Sequence, residues 1–181
     1  MKNLERYLGS FAKKVVKGSK NFAKTKGFSD IDLKFSVKKN GKGYEVVFKA
    51  PFYVDVLDKG VSGNKKTRYY KDYKGAKRKS PFQYKDKAPP SKVFEKWIKK
   101  KGIKGRDNGY TKKDGTKVKG SGRFIKRSAL AFAMAKSMQI KGRDGLGIFQ
   151  KPLSFEFKRL RKDIVKSLSK DIKDIMYNDK K

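Results

Sequence analysis

Leu4, Leu8, Phe11, Val15 and Phe22 recur at the spacing of one helix face, while Lys13, Lys14, Lys17, Lys20 and Lys24 fall mostly elsewhere. The pattern predicts a basic amphipathic helix that ends before Gly27. A stripe of this kind more often packs on a core than on a membrane or nucleic acid, and we read it so. Next, Ile31, Leu33, Phe35 and Val37 alternate with Asp30, Asp32, Lys34 and Ser36, the period of a strand with one buried face. Asn40-Gly41 supplies a tight turn, and Tyr44, Val46 and Phe48 resume the alternation, so residues 31–49 read as a β-hairpin. Pro51 interrupts before the apolar stretch of Phe52, Tyr53, Val54, Val56 and Leu57.

From Val61 to Gly122 the pattern thins to Gly and Lys, with 21 Lys or Arg against five acidic residues. This reads as a basic insertion, partly loop. Ala88-Pro89-Pro90-Ser91 ends an extended piece, and Ser91 is placed to cap a short helix over about 91–101 that stops at Gly102. Asn108-Gly109 and Asp114-Gly115 predict a small exposed hairpin. Beyond Gly122, Ser128 to Ile140 is rich in Ala and Met, with Leu130, Met134 and Met138 on one face, and is expected to be the most buried helix. Ile148-Phe149 is read as a short extended segment, and Pro152 as preceding a last helix striped by Phe157, Leu160, Ile164, Leu168, Ile172 and Ile175. No internal repeat is evident.

These elements predict an α+β fold, a small antiparallel sheet packed with the N-terminal, Ala-rich and C-terminal helices. Residues 1–60 and 123–181 form the expected core and 61–122 the insertion. A length of 181 residues favours one domain with a large insertion over two full domains.

Composition narrows the function. The formal net charge is +34, which calls for a polyanion or acidic neighbours. With no Cys and no His there is no disulfide, no thiolate or imidazole zinc site and no Ser-His-Asp or Cys-His unit. No apolar run reaches the roughly 20 residues of a membrane span, and the N-terminus lacks a signal-peptide core. The expected product is a soluble, cytoplasmically made chain that takes no cofactor and no metal and is not an enzyme.

Paired carboxylates are the remaining catalytic material, Asp30 with Asp32 and Asp55 with Asp58. Among so many lysines they read as ion-pair partners rather than magnesium ligands. Gly60-Val61-Ser62-Gly63 lacks the spacing of a phosphate loop and matches a KH-type clamp over four residues only. Lys65, Lys66, Arg68, Lys77, Arg78 and Lys79 interleave with Tyr69 and Tyr70, as on a single-strand-binding surface. The same pattern also fits a solvated loop facing acidic protein. Lys77-Arg78-Lys79 is too short to argue nuclear import.

Three stretches, in order, carry a family resemblance. They are Ala50-Pro51-Phe52-Tyr53-Val54 through Asp58-Lys59-Gly60-Val61-Ser62-Gly63, then Pro81-Phe82-Gln83-Tyr84 to Glu95-Lys96-Trp97-Ile98, then Arg127 to Met138 continuing to Gly147-Ile148-Phe149-Gln150-Lys151-Pro152-Leu153. Together they resemble the tail-completion or head-tail joining proteins of tailed bacteriophages, related to the neck and tail-terminator group. The resemblance implies a structural virion protein at the head-tail junction, one subunit of a hexameric or dodecameric ring between portal vertex and tail, with double-stranded DNA in the lumen. It implies that Ala50 to Gly60 is a strand and turn leading into the insertion, and that the Ala-rich and C-terminal helices brace the sheet. Asp58 followed by Gly60 fits the family pattern. The high charge and the long stretch from Lys65 to Lys79 depart from it.

On this reading Phe52, Tyr53, Asp55, Asp58, Gly60, Phe82, Tyr84, Trp97 and Phe149 form oligomer contacts, because aromatic side chains that a small core cannot take are buried between subunits. Lys65, Lys66, Arg68, Tyr69, Tyr70, Lys77, Arg78 and Lys79 meet nucleic acid or acidic partners, among them portal, neck and tail proteins. A rival reading makes the chain a basic nucleic-acid-binding protein that uses Lys65 to Lys79 and the N-terminal helix. No membrane partner is expected.

Overall fold

The computed structural model describes residues 2–28, 31–41, 43–112 and 114–178, so the expected pairing of Asp30 with Asp32 lies outside the described residues. In chain order the elements are α1 (Lys2–Thr25), β1 (Lys34–Asn40), β2 (Gly43–Lys49), α2 (Phe52–Lys59), β3 (Gly60–Ser62), β4 (Tyr69–Lys71), β5 (Lys77–Lys79), α3 (Ser91–Lys101), β6 (Gly109–Thr111), β7 (Lys117–Lys119), α4 (Arg127–Lys141), β8 (Gly142–Asp144) and α5 (Gln150–Asn178). The fold is α+β. Its strands form two-stranded sheets, β1-β2, β3-β8, β4-β5 and β6-β7, in place of the single small sheet expected. Among the described residues no helix is long and apolar enough to cross a membrane.

The chain groups into two units, Met1–Gly60 with Tyr69–Phe82 and Asp144–Lys181, and Val61–Arg68 with Gln83–Arg143. The division runs through the expected insertion. Its Tyr-rich part belongs with the termini, and the Ala-rich helix belongs with the rest of the insertion.

In the first unit the apolar stripe of α1 is buried at Leu8, Phe11, Ala12, Val15 and Ala23. Its partner is α5, and the two run antiparallel. Near one end, a Cβ added to Gly18 would lie 3.2 Å from the Pro152 ring. At the other, the Asp171 carboxylate accepts hydrogen bonds from the Asn3 and Leu4 amides at 3.0 and 2.9 Å. Those amides open α1 and have no partner within the helix, so a carboxylate from α5 caps it. β1 and β2 pair with Phe35 opposite Phe48 and Val37 opposite Val46. Asn40 lies opposite Gly43 as the last pair of the ladder, so the turn falls after Asn40, and the glycine at positive φ is Gly43, at 143°, rather than Gly41. A core of Ala23, Ile31, Leu33, Val54 and Ile148 joins these pieces.

Two expectations are corrected in this unit. The stretch after Pro51 is a helix, α2, not a strand and turn. Pro51, with φ −60°, leads into it, Val54 and Asp58 share its buried face one turn apart, and Asp55 pairs with Lys59 at 2.7 Å on its surface. Gly60 ends it at φ 74°, a conformation that side chains resist. Ile148-Phe149 forms a turn rather than an extended segment, and α5 already begins at Gln150. Pro152 therefore lies inside its first turn, where its fixed φ suits the helix.

In the second unit α3 packs against α4. Ile98 is its one large buried side chain on α3, facing a helix whose buried positions, Ala131, Ala135 and Gln139, are four residues apart. The Ala-rich helix is therefore less buried than α1, and Phe132 is 64% exposed. Alanines permit close approach but supply little area, and no continuous apolar stripe surrounds them. Gln139 compensates with polar bonds, donating from Nε2 to the carbonyls of Lys85 and Asp86 at 3.2 and 2.6 Å. Ser91 starts α3 but makes no capping bond, since Pro90 occupies the cap position. Gly102 closes the helix at φ 62°, as expected.

Candidate interaction surfaces

α2 builds the first surface. Its opening residues Phe52 and Tyr53 point outward, Phe52 being 72% exposed. The Phe82 ring meets Phe52 edge-on at 5.2 Å between centroids. Beside them lies a pocket of about 450 Å³ whose wall includes Leu33, Phe48, Val54, Asp55 and Phe149. Phe48 and Phe149 touch edge-on at 5.1 Å. The first unit thus brings together Phe52, Asp55, Asp58, Phe82 and Phe149 from the expected interface set. Tyr84 and Trp97 belong to the second unit, where Trp97 is 44% exposed on α3 and burial pushes the Tyr84 hydroxyl pKa up. Sequence reasoning missed Leu33 and Phe48; their place in the β alternation was the available signal.

Asp58 is 1% exposed, and its carboxylate accepts hydrogen bonds from the Phe149 and Gln150 amides at 2.7 and 3.1 Å. Burial pushes its pKa above the ordinary carboxylate value, against the pull of those amides. Its visible task is internal: it caps α5, ties α2 to that helix and forms part of the pocket wall. Gly60 is buried as well.

The basic surface is built differently. Tyr69, Tyr70, Lys77, Arg78 and Lys79 lie on a β-hairpin of the first unit, in register Tyr69 with Lys79, Tyr70 with Arg78 and Lys71 with Lys77. The loop reading is corrected here, since the stretch is paired and anchored. The Tyr73 amide donates to Gln150 Oε1 at 2.8 Å, and its ring stands edge-on to Phe157 at 4.9 Å. Lys74-Gly75 was the turn signal. The hairpin's one carboxylate, Asp72, accepts from the Lys74 and Ala76 amides and from Arg78 Nε. Desolvation opposes its charge, but Arg78 and these amides outweigh it and hold its pKa below the usual value. Lys77 Nζ sits 4.8 Å from the Tyr69 ring centroid, a cation-π contact. Lys65, Lys66 and Arg68 belong to the second unit, where Arg68 Nε donates to the Lys141 carbonyl at 2.8 Å. The eight residues expected to form one contact region are therefore divided between the units.

The remaining candidates resolve into local structure. Asp32 pairs with Lys34 at 3.1 Å and Asp55 with Lys59. Among the described residues no group of three or more acidic side chains is placed to hold a metal ion. Gly60-Val61-Ser62-Gly63 is buried throughout, and a Cβ on Gly63 would collide with the Ile140 carbonyl. Its glycine serves close backbone packing. Compared with protein-family models, with curated proteins and with solved structures, the chain matches none.

Proposed function

We propose that this chain is a structural subunit of the neck of a tailed bacteriophage, forming a ring that joins the portal vertex to the tail around the DNA channel. The observation that carries the reading is the exposed aromatic patch of α2, where Phe52, Tyr53 and Phe82 border an apolar pocket on a chain of charge +34. Large exposed aromatics beside an apolar pocket are costly unless another surface covers them. A ring supplies that cover through a heterologous contact, the patch of one copy on a different face of the next. The order of the three family-like stretches gives the reading its identity, and Phe52 and Phe149 fall within them. The charge requires acidic surfaces on adjacent rings, or DNA in the lumen, to screen repulsion between copies.

The test is gold-antibody labelling of purified virions, together with virion mass spectrometry. Label at the head-tail junction is the expected result, and absence of the protein from virions overturns the reading. Phe52→Ser is expected to leave the fold intact, because the ring is already exposed, and to block ring assembly. Normal particles assembled from that variant would remove the patch from the interface.

A rival reading, a basic nucleic-acid-binding protein, draws on the stacked Lys77 and Tyr69 of the β4-β5 hairpin. It predicts DNA binding in solution that falls steeply as salt rises, because bound phosphates release counterions.

A further inference from the structure

The chain contains one small device twice. The β4-β5 and β6-β7 hairpins have the same register, with Tyr70 opposite Arg78 in one and Tyr110 opposite Val118 in the other. Both close with the same turn. The amide of Asp72 bonds the Ala76 carbonyl and that of Gly75 the Asp72 carbonyl; the amide of Lys112 bonds the Thr116 carbonyl and that of Gly115 the Lys112 carbonyl. Gly75 and Gly115 take φ 89° and 85°. Aligned on these glycines, the sequences share a Tyr five residues before and Lys two and four residues after, as Gly75-Ala76-Lys77-Arg78-Lys79 and Gly115-Thr116-Lys117-Val118-Lys119. So short a repeat, masked by general lysine richness, is legible only once the register is known.

In each hairpin the two lysines share one strand face, roughly 6.6 to 6.8 Å apart along the backbone. All four are exposed. The acids that could neutralise them are engaged elsewhere: Asp72 by the Lys74 and Ala76 amides and by Arg78, and Asp114 by the Thr116 amide at 2.9 Å. At the base of β6-β7, Asp107 accepts from the Gly109 amide and from the Ser121 amide and hydroxyl. The Ser121 and Gly109 amides hold its pKa below the ordinary value. Among the described residues Lys77, Lys79, Lys117 and Lys119 form no salt bridge. The β4-β5 hairpin also carries an exposed ring with a cation over it, Tyr69 under Lys77; β6-β7 has Gly109 at that place, and the Arg106 guanidinium over Phe124 at 4.7 Å lies outside the hairpin.

We infer that β6-β7 is a second DNA-backbone contact, equivalent to β4-β5, with Lys117 and Lys119 matching Lys77 and Lys79. A lysine pair on a flat strand face offers point charges without a shaped pocket, which suits phosphates and reads no sequence. Duplication favours a ligand that repeats itself. A nucleic-acid backbone offers the same phosphate at every step, whereas an acidic patch on a folded protein has its own fixed shape.

The test uses the full purified chain and a fluorescein-labelled DNA duplex, with anisotropy titrations between about 50 and 200 mM salt. Lys117→Ser/Lys119→Ser is expected to weaken binding roughly tenfold and to reduce the salt slope by about two, as is Lys77→Ser/Lys79→Ser. Lys162→Ser/Lys166→Ser removes the same charge from the exposed face of α5 and is expected to change affinity less than twofold. The arginine pair Lys117→Arg/Lys119→Arg should restore binding, and circular dichroism should show every variant folded. The inference is overturned if the α5 variant loses as much as the hairpin variants, which would mean diffuse attraction. It is also overturned if Lys117→Ser/Lys119→Ser leaves DNA affinity intact while abolishing capture of poly-glutamate, which would identify an acidic protein as the partner. The measurement needs no ring and no virion, so its failure leaves the neck reading standing.

Discussion

The two units solve the problem of holding a lysine-rich chain together in opposite ways. The first buries a real core, Ile31, Leu33, Val54 and Ile148, under two long helices whose ends are tied by carboxylates. The second has Ile98 against a row of alanines and relies on polar bonds such as those of Gln139 and Asp107. Area removed from water is the main stabilising term in folding, so the first unit should resist unfolding and the second should open more readily. Both nevertheless present the same basic hairpin. The device depends on turn geometry and register, and its construction is indifferent to the depth of the core beneath.

Core truncation tests that contrast most severely. Ile148→Ala should cost about 2–5 kcal/mol in chemical denaturation, as should Ile98→Ala locally. Hydrogen exchange distinguishes the two, because lost protection after Ile98→Ala should stay within residues 83–143. Loss of protection in α1 as well would mean that the units unfold as one block, and the contrast would fail.

Asp58→Ala comes next, at about 1–3 kcal/mol, because it leaves the half-buried Phe149 and Gln150 amides at the start of α5 without their acceptor. The pH dependence sharpens the comparison within the first unit. Burial raises the folded pKa of Asp58, so the folded state holds its proton more tightly than the unfolded chain. Stability from this group therefore falls as pH rises from the ordinary carboxylate value through the raised one. Asp171 behaves oppositely. Desolvation opposes its charge, but the Asn3 and Leu4 amides prevail and lower its pKa. Its contribution is present above the ordinary value and is lost as pH falls through the lowered one. Urea midpoints against pH should lose the first slope in Asp58→Asn and the second in Asp171→Asn.

The smallest expected effect has the opposite sign. Ser19 lies on α1 at 0% exposure, with no hydrogen-bond partner for its hydroxyl among the described residues. Ser19→Ala should raise stability by about 1 kcal/mol, measured by thermal unfolding. A decrease would show that the hydroxyl is satisfied in solution, by water for example.

Legibility along the chain followed the reach of each signal. α1 was readable because five apolar residues repeat at helical spacing, and β1-β2 because alternation and Asn40-Gly41 agree. α2 was misread because the strand and turn there came from the family resemblance, and eight residues are too few for periodicity to overrule it. What decided it was the burial of Val54 and Asp58 on one face, a contact made with distant residues. The Ala-rich helix misled for a related reason: small apolar residues announce close packing without saying how much area the partner offers. Of the interface candidates, Phe52 and Phe149 were named from sequence, but the pocket also needed Leu33 and Phe48 from the hairpin. Proximity between segments that far apart is not written in local spacing.

Sequence alone therefore determined what depends on local periodicity and on residue chemistry: the amphipathic helices, the turn at Asp114-Gly115, the hairpin of β1 and β2, and a formal net charge of +34. The tertiary structure alone decided which Asp became a buried cap, how the chain divided into two units, and that Lys77 with Lys79 and Lys117 with Lys119 occupy equivalent strand faces. The reason is physical. Helix and turn preferences act over a few bonds, whereas burial, capping across elements and strand register arise from contacts between segments that meet only when the chain folds.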